Sequence, residues 1–324
     1  MSNKLEISML GSGDQSAIEA LFKESFGYAV SKTLWKWKYA DSRGRNLIIK
    51  KDGKIVAHYG GMQRAISYFG EKQKAIQIGD VMVAKNERGV LKKQGLYFQI
   101  TAAFLERYIG FETEHLLGFG FPTPTALKLA CKLGLYANVD EIVELHYSSI
   151  KARPSFKYHL IELENSNSEA YFKAFNRLWR RMREEYQNDI LVERDWDYLN
   201  YRYFQHPVND YKSFIMKSRL TQQVIGLLIF KFQQEQERWM LMDFLVTKKH
   251  IDALFFQAAR IVERLGQTSF TVWVTGSHIA RLPATWHTKE TANISIPSNI
   301  WHQGPDSSEI IDKWWLTAGD TDFL

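Results

Sequence analysis

The sequence predicts an α/β chain of two successive domains of one design, each a mixed, mostly antiparallel sheet flanked by helices. Three observations carry this. Trp37-Lys38-Tyr39 returns 164 residues on as Tyr201-Arg202-Tyr203, and Asp80-Val81-Met82-Val83 returns 163 residues on as Asp243-Phe244-Leu245-Val246. The 324 residues fit two domains of ordinary size, each able to close a core. Helical and alternating apolar patterns succeed one another with glycine-bearing turns between them. Two unrelated segment pairs at the same interval imply a tandem duplication of one roughly 150-residue domain. The expected division is 1–154 and 155–324, with the join around Pro154.

In the first domain Ser12 or Asp14 caps a helix through about Ser25, ended by Gly27. A short aromatic helix is expected at 33–39. Residues 46–50 and 54–63 read as a hairpin turning at Lys51-Asp52-Gly53. Strands follow at 65–69 and 74–83. Leu96, Ile100, Phe104 and Tyr108 share one face of a helix over 95–108. A short buried strand fits 115–121, a helix 123–133, and one or two strands 136–149. The second domain repeats the plan: a long charged helix at 168–186, an aromatic helix at 195–203, and strands at 212–217, 224–233 and 238–247. A helix at 252–265 and a strand at 269–274 complete it.

Composition narrows the function classes. The lone Cys131 excludes a disulfide framework and suits a reducing cytoplasm. Neither a signal peptide nor a membrane span is legible. Net charge is +6, but residues 1–157 carry +8 and the remainder −2. A basic first half suggests an anionic ligand there.

One loop fits that ligand. After the strand ending at Val83 comes Arg88-Gly89-Val90-Leu91-Lys92-Lys93-Gln94-Gly95, and then a helix. A helix start leaves backbone N–H groups unpaired and adds partial positive charge. Arg88, Lys92 and Lys93 supply charge-assisted donors. The loop is neither a Walker loop nor a dinucleotide fingerprint, because both spacings are missing. The corresponding segment of the second half, Thr247-Lys248-Lys249-His250-Ile251-Asp252, has no glycine.

The order of elements, with Asp80-Val81-Met82-Val83, Arg88-Gly89 through Gly95, and Gly118-Phe119-Gly120-Phe121-Pro122 running into Ala126 and Leu133-Gly134-Leu135, resembles the GNAT family of acyl-CoA N-acyltransferases. The likeness covers most of 1–150 and, more faintly, 195–275, as in tandem-GNAT bacterial proteins. The closing Trp314, Thr317, Gly319, Asp320, Asp322 and Phe323 also resemble the end of such proteins. The resemblance implies acetyl-CoA as cosubstrate and no metal. Its pantetheine arm would pair with Val81, Met82 and Val83, and its pyrophosphate would sit on Arg88, Gly89, Lys92, Lys93, Gln94 and Gly95. Two departures stand out. Extra residues separate Gly89 from Gly95, and Ala130 occupies the place of the family's general-acid tyrosine. Tyr97, Tyr136, Cys131 or water are the candidates to replace it. Asp80 is the candidate base, though its repetition as Asp243 also suits a shared structural role.

The expected activity is direct acyl transfer to a small-molecule amine, an amino sugar among the candidates, with the second half a degenerate copy shaping the acceptor cleft. Two alternatives are a catalytically inactive CoA-binding or regulatory protein and an aminoacyl-tRNA-dependent transferase. The helical hairpin of the latter group is not legible, and nucleic acid is not an expected partner. Trp35, Trp37, Tyr39, Tyr201 and Tyr203 read as core more readily than as a cleft. His58, His115 and His146 read as packed histidines.

Overall fold

The computed structural model describes residues 5–40, 42–89 and 92–324. The chain forms two compact units. One comprises Met1–Ala65, Gln73–Val139 and Ser295–Ile311; the other comprises Ile66–Lys72, Asp140–Ile294 and Asp312–Leu324. They do not follow a linear split at 154. The strands Lys54–Tyr68, Tyr136–Ser148 and Trp286–Asn299 each begin in one unit and end in the other.

The first unit opens with β1 (Leu5–Met9), α1 (Gln15–Phe26) and α2 (Lys32–Tyr39). Gly27 ends α1 with φ 84°, its N–H closing on the Lys23 carbonyl. Ser31 caps α2 through its side chain. β2 (Gly44–Lys51) and β3 (Lys54–Tyr68) form a hairpin across Asp52 and Gly53, whose φ values of 49° and 79° match the twist of the strands. Segments 54–63 and 65–69, expected as two strands, are continuous in β3. Next come β4 (Glu71–Val83), α3 (Leu96–Tyr108), β5 (Leu117–Gly120), α4 (Pro124–Lys132) and the start of β6 (Tyr136–Ser148). The strand order is β1-β2-β3-β4-β5. Ile48, Ala57, Tyr59, Ile76, Ile100 and Phe104 pack into its core.

The second unit contains the rest of β6, then β7 (Tyr158–Leu163), α5 (Phe172–Glu185), β8 (Ile190–Val192) and α6 (Trp196–Leu199). The expected helix over 195–203 changes to a π turn at Asn200–Phe204. β9 (Lys212–Ser218), β10 (Val224–Gln233), β11 (Arg238–Val246), α7 (Ile251–Arg264), β12 (Ser269–Thr275) and β13 (Trp286–Asn299) follow; α8 (Ser307–Ile310) belongs to the first unit and β14 (Trp314–Trp315) to the second. The sheet order is β13-β6-β12-β11-β10-β9-β7. The end of β3 pairs with β8, and β8 with β14. α5 buries Phe175, Leu178, Trp179 and Met182 and exposes Arg180 and Arg181, as an amphipathic surface helix does. Among the described residues no helix is long and apolar enough to cross a membrane.

Candidate active site

β4 and β5 run parallel from Ala75↔Leu117 to Ile78↔Gly120, and β4 then continues to Val83 beyond its last pair with β5. Within that extension Asp80 adopts φ 52°, a left-handed conformation that a non-glycine residue holds only when its surroundings fix it. The fixing groups surround it. Lys38 Nζ lies 3.1 and 3.0 Å from its two carboxylate oxygens, and the Tyr39 hydroxyl donates to Oδ2 at 2.6 Å. Both partners come from the last turn of α2.

His58, fully buried on β3, holds the backbone at the same point. Its Nδ1 is 2.6 Å from the Asp80 carbonyl, and its Nε2 is 2.9 Å from the Asn46 side chain. Burial pushes the imidazole down to about 4, against the pull of the Asp80 carbonyl. The ring is therefore neutral at pH 7 and carries one N–H, which Nδ1 donates to the carbonyl. Nε2 then accepts from the Asn46 amide with that group turned over. A Cβ at Gly60 would stand 2.6 Å from the Tyr39 hydroxyl and 2.9 Å from the Gly79 carbonyl, so β3 needs glycine there. Lys38, His58 and Gly60 were not singled out as site residues. The signal available was a Gly60-Gly61 pair inside a strand pattern.

Met82 is buried, whereas Val81 and Val83 are half-buried on either side of it. The Arg88 Nε donates to the Val83 carbonyl at 2.7 Å, tying the loop back to the end of β4. Gly89 has φ 106°, and a Cβ there would meet nothing; its need for glycine is conformational. Val90 and Leu91 lie outside the described residues. Lys92, Lys93 and Gln94 are exposed, and Gly95 is the N-cap of α3, without a side-chain cap bond. Lys93 Nζ lies over the rings of Phe98 and Trp301, at 5.7 and 5.1 Å from their centroids.

Tyr97, on the first turn of α3, is half-buried, and desolvation pushes its phenol up to about 12. Tyr136 and Tyr59 are buried with their hydroxyls hydrogen-bonded to each other. Burial raises both, and the nearby Tyr97 adds to the rise. Ala130 is buried, while Cys131 is exposed and its thiol is raised by partial burial. Thus Tyr97 and Tyr136 belong to one tyrosine group, and Asp80 to a separate ionic one.

The second unit has its own aspartate cluster. β11 and β12 pair only from Trp239↔Phe270 to Leu241↔Val272. Beyond that point Thr317 pairs with Val274 of β12, and its hydroxyl lies 3.3 Å from Asp243 of β11. The segment after β14 therefore fills the gap between the two strands. Asp243 accepts from Tyr203 at 2.8 Å and from Arg194 Nε at 2.9 and 3.1 Å; Arg194 also reaches Asp320 at 2.7 Å. Burial opposes the Arg194 charge, but Asp243 and Asp320 outweigh it and hold the guanidinium well above its ordinary value.

Elsewhere, ligand atoms of Glu144, His146 and Glu290 lie within 4.8 Å of one another, a cluster not legible from spacing. Both Glu144 oxygens are already engaged by Arg238 at 2.7 and 2.9 Å, with Trp273 Nε1 also donating. That arrangement is an ion-pair network.

The fold has counterparts among known proteins. Residues 6–127 match the family model described as an acetyltransferase (GNAT) domain. Among solved structures, a probable N-acyltransferase from Enterococcus faecalis V583 superposes with a TM-score of 0.68 at 12% identity, over 91% of this chain and 72% of that one. A GCN5-related N-acetyltransferase from Kribbella flavida gives 0.64 at 10% identity, over 92% and 71%. Another from Anabaena variabilis ATCC 29413 gives 0.63 at 12%, over 92% and 73%. No curated protein matches the sequence. With its β4 extension, its loop and its fold, the part of the chain from residue 6 to residue 127 belongs to the GNAT superfamily of acetyltransferases.

Proposed function

We propose that the chain arose by tandem duplication and acts in the cytoplasm as an acyl-CoA-dependent N-acyltransferase. Its first half, 1–154, uses acetyl-CoA and passes the acyl group to a small amine, of which an amino sugar is one candidate. The observation that carries this reading is the extension of β4 past Ile78, followed within a few residues by a cationic loop and a helix start without a side-chain cap. Val81, Met82 and Val83 would hold the pantetheine arm. Arg88, Gly89, Lys92, Lys93, Gln94 and Gly95 would hold the pyrophosphate.

When bound, acetyl-CoA supplies the activated acyl group. Backbone N–H groups along Val81–Val83 offer donors to negative charge developing on the acyl oxygen. Asp80 takes the proton of the incoming amine. Tyr97 offers a proton to the departing sulfur; burial keeps its phenol protonated, at about 12, and makes it a weaker acid than an exposed tyrosine. Tyr136, whose hydroxyl is bonded to that of Tyr59, is a second candidate.

The reading as a CoA-binding protein without transfer draws on Ala130 and on the prior engagement of Asp80 by Lys38 and Tyr39. Thiol release from acetyl-CoA, followed with a panel of amines that includes amino sugars, separates the two. Turnover that falls about 10²–10⁴-fold in Asp80→Asn and in Tyr97→Phe supports the mechanism. CoA binding by calorimetry with no thiol release for any amine supports the non-catalytic reading. In either case Arg88→Ala should weaken CoA binding by about 1.5–3 kcal/mol, roughly tenfold to a hundredfold. Absence of CoA binding by the unaltered protein sinks both.

A further inference from the structure

The second unit holds a cavity of about 500 Å³, within the range of small-molecule sites. Lys157, Arg181, Arg219 and Lys249 line it, together with His250, and no Asp or Glu is among the described residues of its lining. Three of these four cations, Arg181, Arg219 and Lys249, lie in residues 158–324, whose net charge is −2. Its floor is apolar, from Leu178, Val224 and Ile225. Phe156 and Leu220, also in the lining, are 95% and 93% exposed. An adjoining cavity of about 370 Å³ shares Arg181, Thr247 and Lys249. Glu184 and Glu185 also line that smaller space, and Glu185 already accepts from the Lys248 amide at 2.6 Å.

Thr247 is the telling residue. It is only 5% exposed, it lines both cavities, and its hydroxyl has no hydrogen-bond partner among the described residues. A buried hydroxyl without a partner costs free energy unless something else meets it. Beside it stand two cations on separate elements, Arg181 on α5 and Lys249 just ahead of α7.

We propose that this cavity is an anion site built to take a phosphate group attached to an apolar substituent. The hydroxyl of Thr247 donates to a phosphate oxygen, Arg181 and Lys249 pair with its charge, and the substituent lies along Leu178, Val224, Ile225 and Phe156. The site is distinct from the gap between β11 and β12, since no residue of β12 or of the segment from Trp314 lines it. It is also independent of the acyl-transfer reading, which concerns β4 and the loop after it.

The test is calorimetry of the full chain with hexyl phosphate and with inorganic phosphate, alongside flotation with vesicles containing phosphatidic acid. Hexyl phosphate should bind more tightly than inorganic phosphate. The affinity should fall about tenfold or more in Arg181→Ala and in Lys249→Ala, as loss of a charge-assisted bond implies. Arg181 and Lys249 are exposed, so these variants keep the fold. Thr247→Val should weaken binding while raising the melting temperature of the ligand-free protein, because it removes the unpartnered hydroxyl. Vesicle binding lost in the same variants identifies a lipid as the source of the phosphate. Hexyl phosphate binding without vesicle binding identifies a soluble phosphoester. No binding of either probe overturns the proposal, as do equal affinities for the two phosphates or wild-type affinity in both cation variants.

Discussion

Asp80 and Asp243 occupy matching places in the two units and receive the same kind of hydroxyl, yet their counter-charges come from different parts of the chain. In the first unit Lys38, one residue before Tyr39, pairs with Asp80. In the second, the residue before Tyr203 is Arg202, which instead donates to the Gly319 and Thr321 carbonyls at 2.9 and 3.0 Å. The counter-charge to Asp243 is Arg194, shared with Asp320. One aspartate is thus held from a local helix beside a strand edge that has left its partner. The other is sealed by the last residues of the chain. The shared tyrosine bond shows that the aspartate has a structural duty in both units; only the first leaves room for a chemical one.

The largest expected effect tests that contrast. Asp243→Ala removes one carboxylate from a buried network and leaves Arg194 under-compensated, which should cost about 3–5 kcal/mol. The side chains of Arg194 and Asp243 are 0% and 2% exposed, against 6% and 9% for Lys38 and Asp80. Asp80→Ala should therefore cost less, about 1–3 kcal/mol. Urea midpoints at unchanged slope measure both. Equal losses would mean that the two clusters do the same structural work.

Much of this contrast was legible in the sequence, and the part that was not has a physical reason. The repeat placed both aspartates and both tyrosines, because strand and helix periodicities are local. Helix α3 with its Gly95 start, helix α4 with its Thr123 cap, and strands β9 to β12 follow from patterning for the same reason. Strand β7 was missed because Tyr158–Leu163 reads as part of a join, and β13 because Trp286–Asn299 is rich in Thr, Ser and Asn. The pairing of Lys38 with Asp80 spans 42 residues and that of Arg194 with Asp320 spans 126. Partners so distant are chosen by tertiary structure, which no local pattern encodes. The cavity at Thr247 was invisible for the same reason: its cations come from four separate segments.

His58 gives the second test, through pH. In the folded protein the ring takes a proton only near pH 4, whereas in the unfolded chain it does so near 6.5. Between those values the unfolded state binds more protons, so stability falls as the pH drops through this window. At about 1.4 kcal/mol per pKa unit, the loss should approach 3 kcal/mol. His206 in the second unit, pushed down to about 3 by burial and by the Arg202 and Lys231 charges, contributes with the same sign. The difference between the wild type and His58→Gln isolates the first unit. Urea unfolding at pH 4.5 and 6.5 should show a shallower fall in the variant, and identical slopes would remove His58 as the lock on the Asp80 backbone.

The smallest effect concerns how each tyrosine hydroxyl is backed. In the first unit Gly60 of β3 lies against the Tyr39 hydroxyl; in the second, Gly319 of the closing segment lies against that of Tyr203. A Cβ at Gly319 would stand 2.0 Å from the Tyr203 hydroxyl and 3.0 Å from the Asp243 Cβ. Gly319→Ala should therefore cost about 1–3 kcal/mol by overpacking. The more telling consequence is local. The segment is attached to β12 through the Thr275 N–H, which donates to the Leu316 carbonyl at 3.2 Å. If the residues from Trp314 onward act as a plug, the added methyl loosens them first, and the Thr275 amide should exchange with solvent faster than amides along the Trp239–Leu241 pairing with β12. Uniform acceleration across β11 and β12 would mean instead that the closing segment folds as an inseparable part of the sheet, and that the second unit never had a gap to fill.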